Sequence, residues 1–224
     1  MSQEILDQQT AADLPEDYFE HARSEMLAFL PEKATSFLEV GCGGGTFGNL
    51  VKQHYDCEYW GIELNPLAAK IAETRLDRVF LGGAPETIFE IPQRQFDCIV
   101  FNDVLEHLVD PYRVLRDIKQ FLRPGGSVAA SIPNVRHFHT LWKLVFHKTW
   151  RYEDAGILDR THLRFFTEIT TRELFEEQGY LVEKIEGINQ SDSRFERMVN
   201  LLSLGWLRDT LFLQFGVRAT PIDN

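Results

Sequence analysis

The stretch Phe37 to Gly48, FLEVGCGGGTFG, limits what this chain can fold into more than any other. An apolar run carrying one acid leads into Gly41, Gly43, Gly44 and Gly45. Glycine enters positive φ without a Cβ penalty, so the pattern is a strand turning into a helix N-terminus, with backbone N–H groups open to a ligand. Gly43, Gly45 and Gly48 also satisfy the G-x-G-x-x-G dinucleotide spacing, which alone is a weak signal. Glu39 decides between the ligand classes. Two residues before the first glycine, its carboxylate faces the turn, repels a pyrophosphate and welcomes a cationic head.

The remaining chain alternates short apolar runs with helical stretches, and 224 residues at 44% hydrophobic content suffice for one α/β core. Residues 1–15 read as a mobile segment and 16–224 as a single domain. A helix is expected after Pro15, with Tyr18, Ala22, Met26 and Phe29 on one stripe that covers the ligand cleft. Strands are expected at 36–40, 58–62, 78–81, 97–101 and 127–132, and helices at 46–54, 66–76 and 111–122. Pro124, Gly125 and Gly126 are expected to break the last of these helices. Thr170 and Glu173 read as the capping box of a helix over 170–178 that stops at Gly179. A sixth strand follows at 180–188 and a seventh at 211–219.

The Glu39 to Gly45 pattern, E-x-G-x-G-x-G, resembles the first motif of class I S-adenosylmethionine-dependent methyltransferases. The resemblance runs to about residue 135, through YWGIELNP, FDCIVFNDVLEHLVDP and LRPGGSVAASIPN. It implies a Rossmann-like, seven-stranded, mostly parallel sheet with helices on both faces, its last strand antiparallel and inserted near the edge. The implied cofactor is S-adenosylmethionine, leaving as S-adenosylhomocysteine. Gly41, Gly43 and Gly45 then wrap its methionine part near Glu39, Glu63 accepts both ribose hydroxyls, and Leu64 flanks the adenine. Many relatives hold the adenine amino group with an acid after strand three. Gly82, Gly83 and Ala84 stand there instead, so backbone contact from Gly83 and Ala84 is the expected substitute. Asn102, Asp103 and Val104, after strand four, complete the implied cofactor site.

Methyl transfer from a sulfonium needs alignment, water exclusion and, for a hydroxyl acceptor, a base. His107, just after strand four, is the first candidate; His137, His139 and His162 are alternatives. The run GILDRTHLRFFT resembles a bacterial methyltransferase subfamily associated with cell-surface sugar and glycolipid assembly. That likeness implies Arg160, His162 and Arg164 as binders of a carboxylate, phosphate or sugar hydroxyl. The leading expectation is O-methylation of a small or carrier-linked, sugar-type acceptor, with nitrogen next and no metal assigned. One alternative starts from Asp103, Glu106 and His107, whose spacing resembles the metal-binding segment of methyltransferases acting on the terminal 2′-hydroxyl of small RNAs. A magnesium-like ion would there use both carboxylates, His107 and a distant histidine such as His162. A nicotinamide-dependent oxidoreductase, disfavoured by Glu39, and a non-catalytic binding domain are the others.

Thirty-four acids against 23 bases leave a formal charge of −11, which repels long nucleic acids. Cys42, Cys57 and Cys98 form no metal-type pair, so a reducing cytoplasm is expected. The N-terminal stretch has neither a basic start nor an apolar core, so no signal peptide is expected. Residues 133–166 form a long, ring-rich insertion after strand five, expected as a lid over the acceptor. Residues 193–209 read as an amphipathic helix that packs on the domain or on a second subunit, giving a possible homodimer, in preference to a membrane surface.

Overall fold

The computed structural model describes residues 22–84, 86–92 and 95–222. The expected mobile segment 1–15 and the expected helix start after Pro15, with Tyr18, lie outside the described residues. Seven strands form one sheet: β1 (Ser36–Val40), β2 (Glu58–Glu63), β3 (Arg78–Leu81), β4 (Phe96–Asn102), β5 (Leu122–Pro133), β6 (Tyr180–Gln190) and β7 (Phe212–Pro221), in the order β3-β2-β1-β4-β5-β7-β6. β1 is parallel to β2 and β4, and β2 to β3. β7 is antiparallel to both β5 and β6, as expected of the inserted seventh strand. The helices are α1 (Thr46–His54), α2 (Pro66–Ala72), α3 (Pro111–Asp117), α4 (Phe138–Phe146), α5 (Glu168–Glu176) and α6 (Arg194–Leu202).

The contacts divide the chain into two compact units, one of residues up to 102 with 118–127, the other of 103–117 with 128–224. In the first unit β1 is buried along its whole length, as a strand paired on both sides requires. Phe37 stacks on Tyr59 with ring centroids 5.5 Å apart and meets Tyr55 edge-on at 5.4 Å. Asp97 ties this core together, accepting from Thr35 N at 2.8 Å, Ser36 N at 3.0 Å and Arg123 at 2.9 Å. A 3-10 helix over Ser24–Phe29 buries Met26 and Phe29, so the described part of the expected first helix is the tighter form. Asn65 caps α2 by accepting from Leu67 N at 2.8 Å, with Pro66 at the first helical position. That helix ends at Ala72, earlier than expected. The missing Cβ of Gly61 leaves room for the sulfur of Cys42, and all three cysteines are free thiols.

Pro124-Gly125-Gly126 does not separate helix from strand. α3 tightens into a 3-10 turn over Ile118–Phe121 and β5 starts at Leu122, so the triplet rides on the strand. Gly126 is there for closeness: a Cβ would stand 2.9 Å from Arg123 O and 3.0 Å from Phe96 O.

In the second unit Val128, Ala130, Phe215, Val217 and Ala219 form the core with Leu174 and Phe175 of α5. Tyr180 OH donates to Leu115 O at 2.6 Å. The capping box of α5 is Thr167 with Thr170, one turn before the expected Thr170 and Glu173. Thr167 Oγ1 accepts from Thr170 N at 3.2 Å, and Thr170 Oγ1 accepts from Thr167 N at 2.9 Å. The helix gives way at Gly179, where φ is 72°. α6 is capped by Ser193 and buries none of its residues fully, but it meets α4 through Phe195, whose ring centroid lies 5.9 Å from that of Phe138 and 6.3 Å from that of Trp142.

Candidate functional site

The turn after β1 needs glycine by conformation, because Gly41, Gly43 and Gly45 have φ of 73°, 54° and 75°. Gly41 N and Cys42 N both donate to Ile62 O, at 2.8 and 3.0 Å, which fastens the turn to the end of β2. Glu63, at that end and 8% exposed, reaches over the same turn. Its Oε2 accepts from Gly43 N at 2.8 Å and its Oε1 from Asn65 N at 2.7 Å. Each oxygen keeps a second lone pair for a ligand hydroxyl. Burial raises the carboxyl above its ordinary range, opposed by the backbone donors of Asn65 and Gly43.

Glu39 is more enclosed than the sequence suggests. It is 2% exposed, its Oε1 accepting from Asn102 Nδ2 at 2.8 Å and its Oε2 from the Tyr59 hydroxyl at 3.1 Å. Burial pushes its carboxyl up to about 8 against those two hydrogen bonds. Burial thus favours the protonated carboxyl over the standing negative charge expected at the turn, and a cation beside it would draw the charge out. Tyr59 was not anticipated as part of this group; its only sequence signal is a tyrosine inside the strand that ends in Glu63. Asn102 Oδ1 is buried without a hydrogen-bond partner among the described residues. An orphaned buried acceptor costs about 1–3 kcal/mol, which an ammonium donor relieves. Leu64 is half exposed, and a Cβ on Gly83 would lie 3.7 Å from its Cδ1, so the pair leaves an open apolar face beside half-buried Ala84.

In the second unit Asp103 adopts a left-handed φ of 53°. Its Oδ1 accepts from Ser131 Oγ at 2.7 Å and its Oδ2 from Gln214 Nε2 at 2.6 Å. Ser131 and Gln214 were not anticipated. The carboxylate is thus engaged with β5 and β7, while Val104 precedes a 3-10 turn over Leu105–His107.

That turn brings His107 against His162, ring centroids 4.6 Å apart at 76°. His162 is buried, and its Nδ1 donates to Ile157 O at 2.9 Å. His107 is half-buried; its Nδ1 donates to Thr161 O at 3.3 Å, and burial, then the neighbouring His162, lowers it below the ordinary histidine value. His137 stands apart as the N-cap of α4, lowered by burial with Glu196 opposing. Arg160 pairs with Asp154 at 2.6 Å, and Arg164 donates to Val109 O at 2.7 Å. α4 carries Phe138, His139, Trp142 and Phe146 from the ring-rich insertion. A cavity of about 730 Å³ is lined by Phe138, His139, Trp142, Arg151, Phe195 and Glu196, among others.

A mostly parallel sheet with one antiparallel insertion, a glycine turn after β1 and an acid ending β2 define an α/β domain for a nucleoside cofactor. Residues 12–185 match the methyltransferase-domain family, and the chain belongs to it. It is 31% identical over 121 residues to a trans-aconitate 2-methyltransferase of Methylobacterium radiotolerans, covering 53% of this chain and 46% of the relative. It is 33% identical over 104 residues to a ubiquinone biosynthesis O-methyltransferase of Pseudomonas paraeruginosa, covering 43% and 44%. The matches thus span less than half the length of these curated relatives. In fold, a SAM-dependent methyltransferase from Archaeoglobus fulgidus superposes with a TM-score of 0.65 at 18% identity, over 97% of this chain and 99% of that one.

S-adenosylmethionine is the cofactor that goes with this family, and the first unit fits it. Asn102 Oδ1 lacks a donor that an amino group supplies, Glu63 keeps lone pairs for two hydroxyls, and Leu64 with Gly83 offers an apolar face to a base.

Proposed function

We propose that the chain transfers the methyl group of S-adenosylmethionine to an oxygen of a small-molecule or carrier-linked, sugar-type acceptor. The observation that carries the donor is the orphaned Asn102 Oδ1 bonded through its own Nδ2 to Glu39, beside a turn that Glu63 clasps. The cofactor supplies an activated methyl group on a sulfur that leaves uncharged. The chain's part is to hold the donor and to remove a proton. His107 serves as base: its Nδ1–H is committed to Thr161 O, which leaves Nε2 bare, and burial keeps the ring neutral near pH 7.

For the acceptor, both curated relatives are named as methyltransferases of small molecules, one of them an O-methyltransferase, which supports oxygen as the target. The ring-lined cavity beside α4 suits a flat or sugar-like ring, and the GILDRTHLRFFT likeness supports a sugar-type acceptor. His137 and His162 are the alternative bases. The apolar residues of 194–206, with Leu204 95% and Trp206 80% exposed, support self-association through this segment. Three free thiols suit a reducing cytoplasm, and no helix among the described residues is long and apolar enough to cross a membrane. A panel of hydroxylated acids, quinol precursors and nucleotide-linked sugars, scored by release of S-adenosylhomocysteine, tests this reading. Release with one class supports it. Calorimetric binding of NAD with no binding of S-adenosylmethionine would overturn it.

A further inference from the structure

We propose that Glu106, His107 and His162 form a binding site for a divalent transition-metal ion. Each offers one donor atom, and the three donors lie within 4.8 Å of one another. Glu106 is 1% and His162 8% exposed, so two of the three are withdrawn from bulk water. The site joins residues far apart in sequence, and the backbone already braces it: Glu106 O accepts from Leu163 N at 2.9 Å and Arg164 N at 3.0 Å.

Both imidazoles hold the tautomer that a metal requires. A backbone carbonyl can only accept, so Nδ1 of His162 carries the proton shared with Ile157 O at 2.9 Å, and Nδ1 of His107 the proton shared with Thr161 O at 3.3 Å. The Thr161 hydroxyl donates to Asp159 Oδ1 at 2.6 Å, so at 3.1 Å it too accepts from His107 Nδ1. Each ring therefore presents a bare Nε2 whose direction is fixed from behind, which is how metal-binding histidines are held. His162 Nε2 lies 3.9 Å from Glu106 Oε1. Bonds of about 2.1 Å in a tetrahedral site place ligand atoms roughly 3.4 Å apart, so small side-chain adjustments must close separations of up to 4.8 Å by at most about 1.4 Å.

The donor set selects the ion. Two imidazoles and one carboxylate suit zinc, cobalt, iron or manganese, whereas magnesium takes oxygen ligands and keeps its waters. Asp103 stands outside the set, its carboxylate held by Ser131 and Gln214. Three protein ligands leave a coordination position open to an oxygen ligand. Metal and proton compete for the same lone pair on His107, so occupancy would switch off its service as a base. The inference does not rest on methyl transfer, because binding is read without donor or acceptor.

The experiment is equilibrium dialysis of the chelator-stripped full chain against cobalt(II), with magnesium in parallel, followed by visible absorption. One equivalent of cobalt with ligand-field bands is expected, its affinity falling more than about tenfold in Glu106→Gln and in His107→Ala. No stoichiometric cobalt, magnesium held as tightly, or unchanged affinity in both variants would each overturn the site. Nitrogen NMR of the unsubstituted chain removes dependence on variant folding. Zinc should shift the Nε2 resonances of two of the seven histidines, and unmoved resonances would overturn the proposal as well.

Discussion

The glycine turn and the ring-rich insertion are opposite ways of preparing for a ligand. Around the turn, most polar groups are already answered within the protein: Glu63 takes backbone N–H groups from Gly43 and Asn65, and Glu39 is enclosed by the side chains of Tyr59 and Asn102, while Asn102 Oδ1 stays open. From α4 to α6 the apolar groups lack cover, with Val145, Phe146, Leu201, Leu202 and Leu204 between 61% and 95% exposed. The first arrangement suits one ligand of fixed shape, since every donor and acceptor has a set direction. The second leaves shape to whatever docks, so chains sharing the first region can differ in the second.

The contrast breaks most readily at His107. His107→Ala should depress turnover about 10²- to 10⁴-fold with cofactor affinity unchanged, measured as kcat against a calorimetric Kd. Unchanged kcat would make the ring a structural or metal-binding group only. Glu63→Ala should weaken cofactor binding by about 1–3 kcal/mol, or roughly 5- to 150-fold in Kd. Equal affinity would show that Glu63 clasps only the turn.

Glu39 sharpens the comparison through pH. Its folded pKa of about 8 lies above the ordinary 4.5, so the folded state holds the extra proton. The stability tied to that proton is complete below about 4.5 and drains away as pH rises through 8. Denaturant melts of Glu39→Gln should therefore lose less stability than the parent between pH 5 and 9. A cationic ligand favours the ionised form, so its binding should release a proton, seen as buffer-dependent heat that Glu39→Gln abolishes. Identical pH profiles would place the titration elsewhere. The smallest effect is expected at Trp206→Ser, which should change stability by less than about 0.5 kcal/mol while lowering any self-association seen by light scattering.

The first region was legible in the sequence because backbone geometry there admits few residue types. Gly41, Gly43 and Gly45 mark φ values that other side chains resist, so β1 and α1 fall where the pattern puts them. Boundaries failed where two residues carry the same signal. Thr167 and Thr170 are equally good caps by type, and only the register of the chain chooses the earlier. Side-chain partners failed for a different reason. Asp103 meets Ser131 and Gln214 across 28 and 111 residues, and no local pattern encodes such pairs. The pairing of His107 with His162 was likewise readable only as two separate histidines.

The berth of Cys42 beneath Gly61 has a practical corollary. Burial drives its thiol far from ionisation, Cys98 is equally enclosed, and half-buried Cys57 is pushed up to about 11. Alkylating reagents attack the thiolate. The native chain should therefore resist iodoacetamide at neutral pH and accept three labels only once it opens, which turns a mass spectrum into a gauge of unfolding.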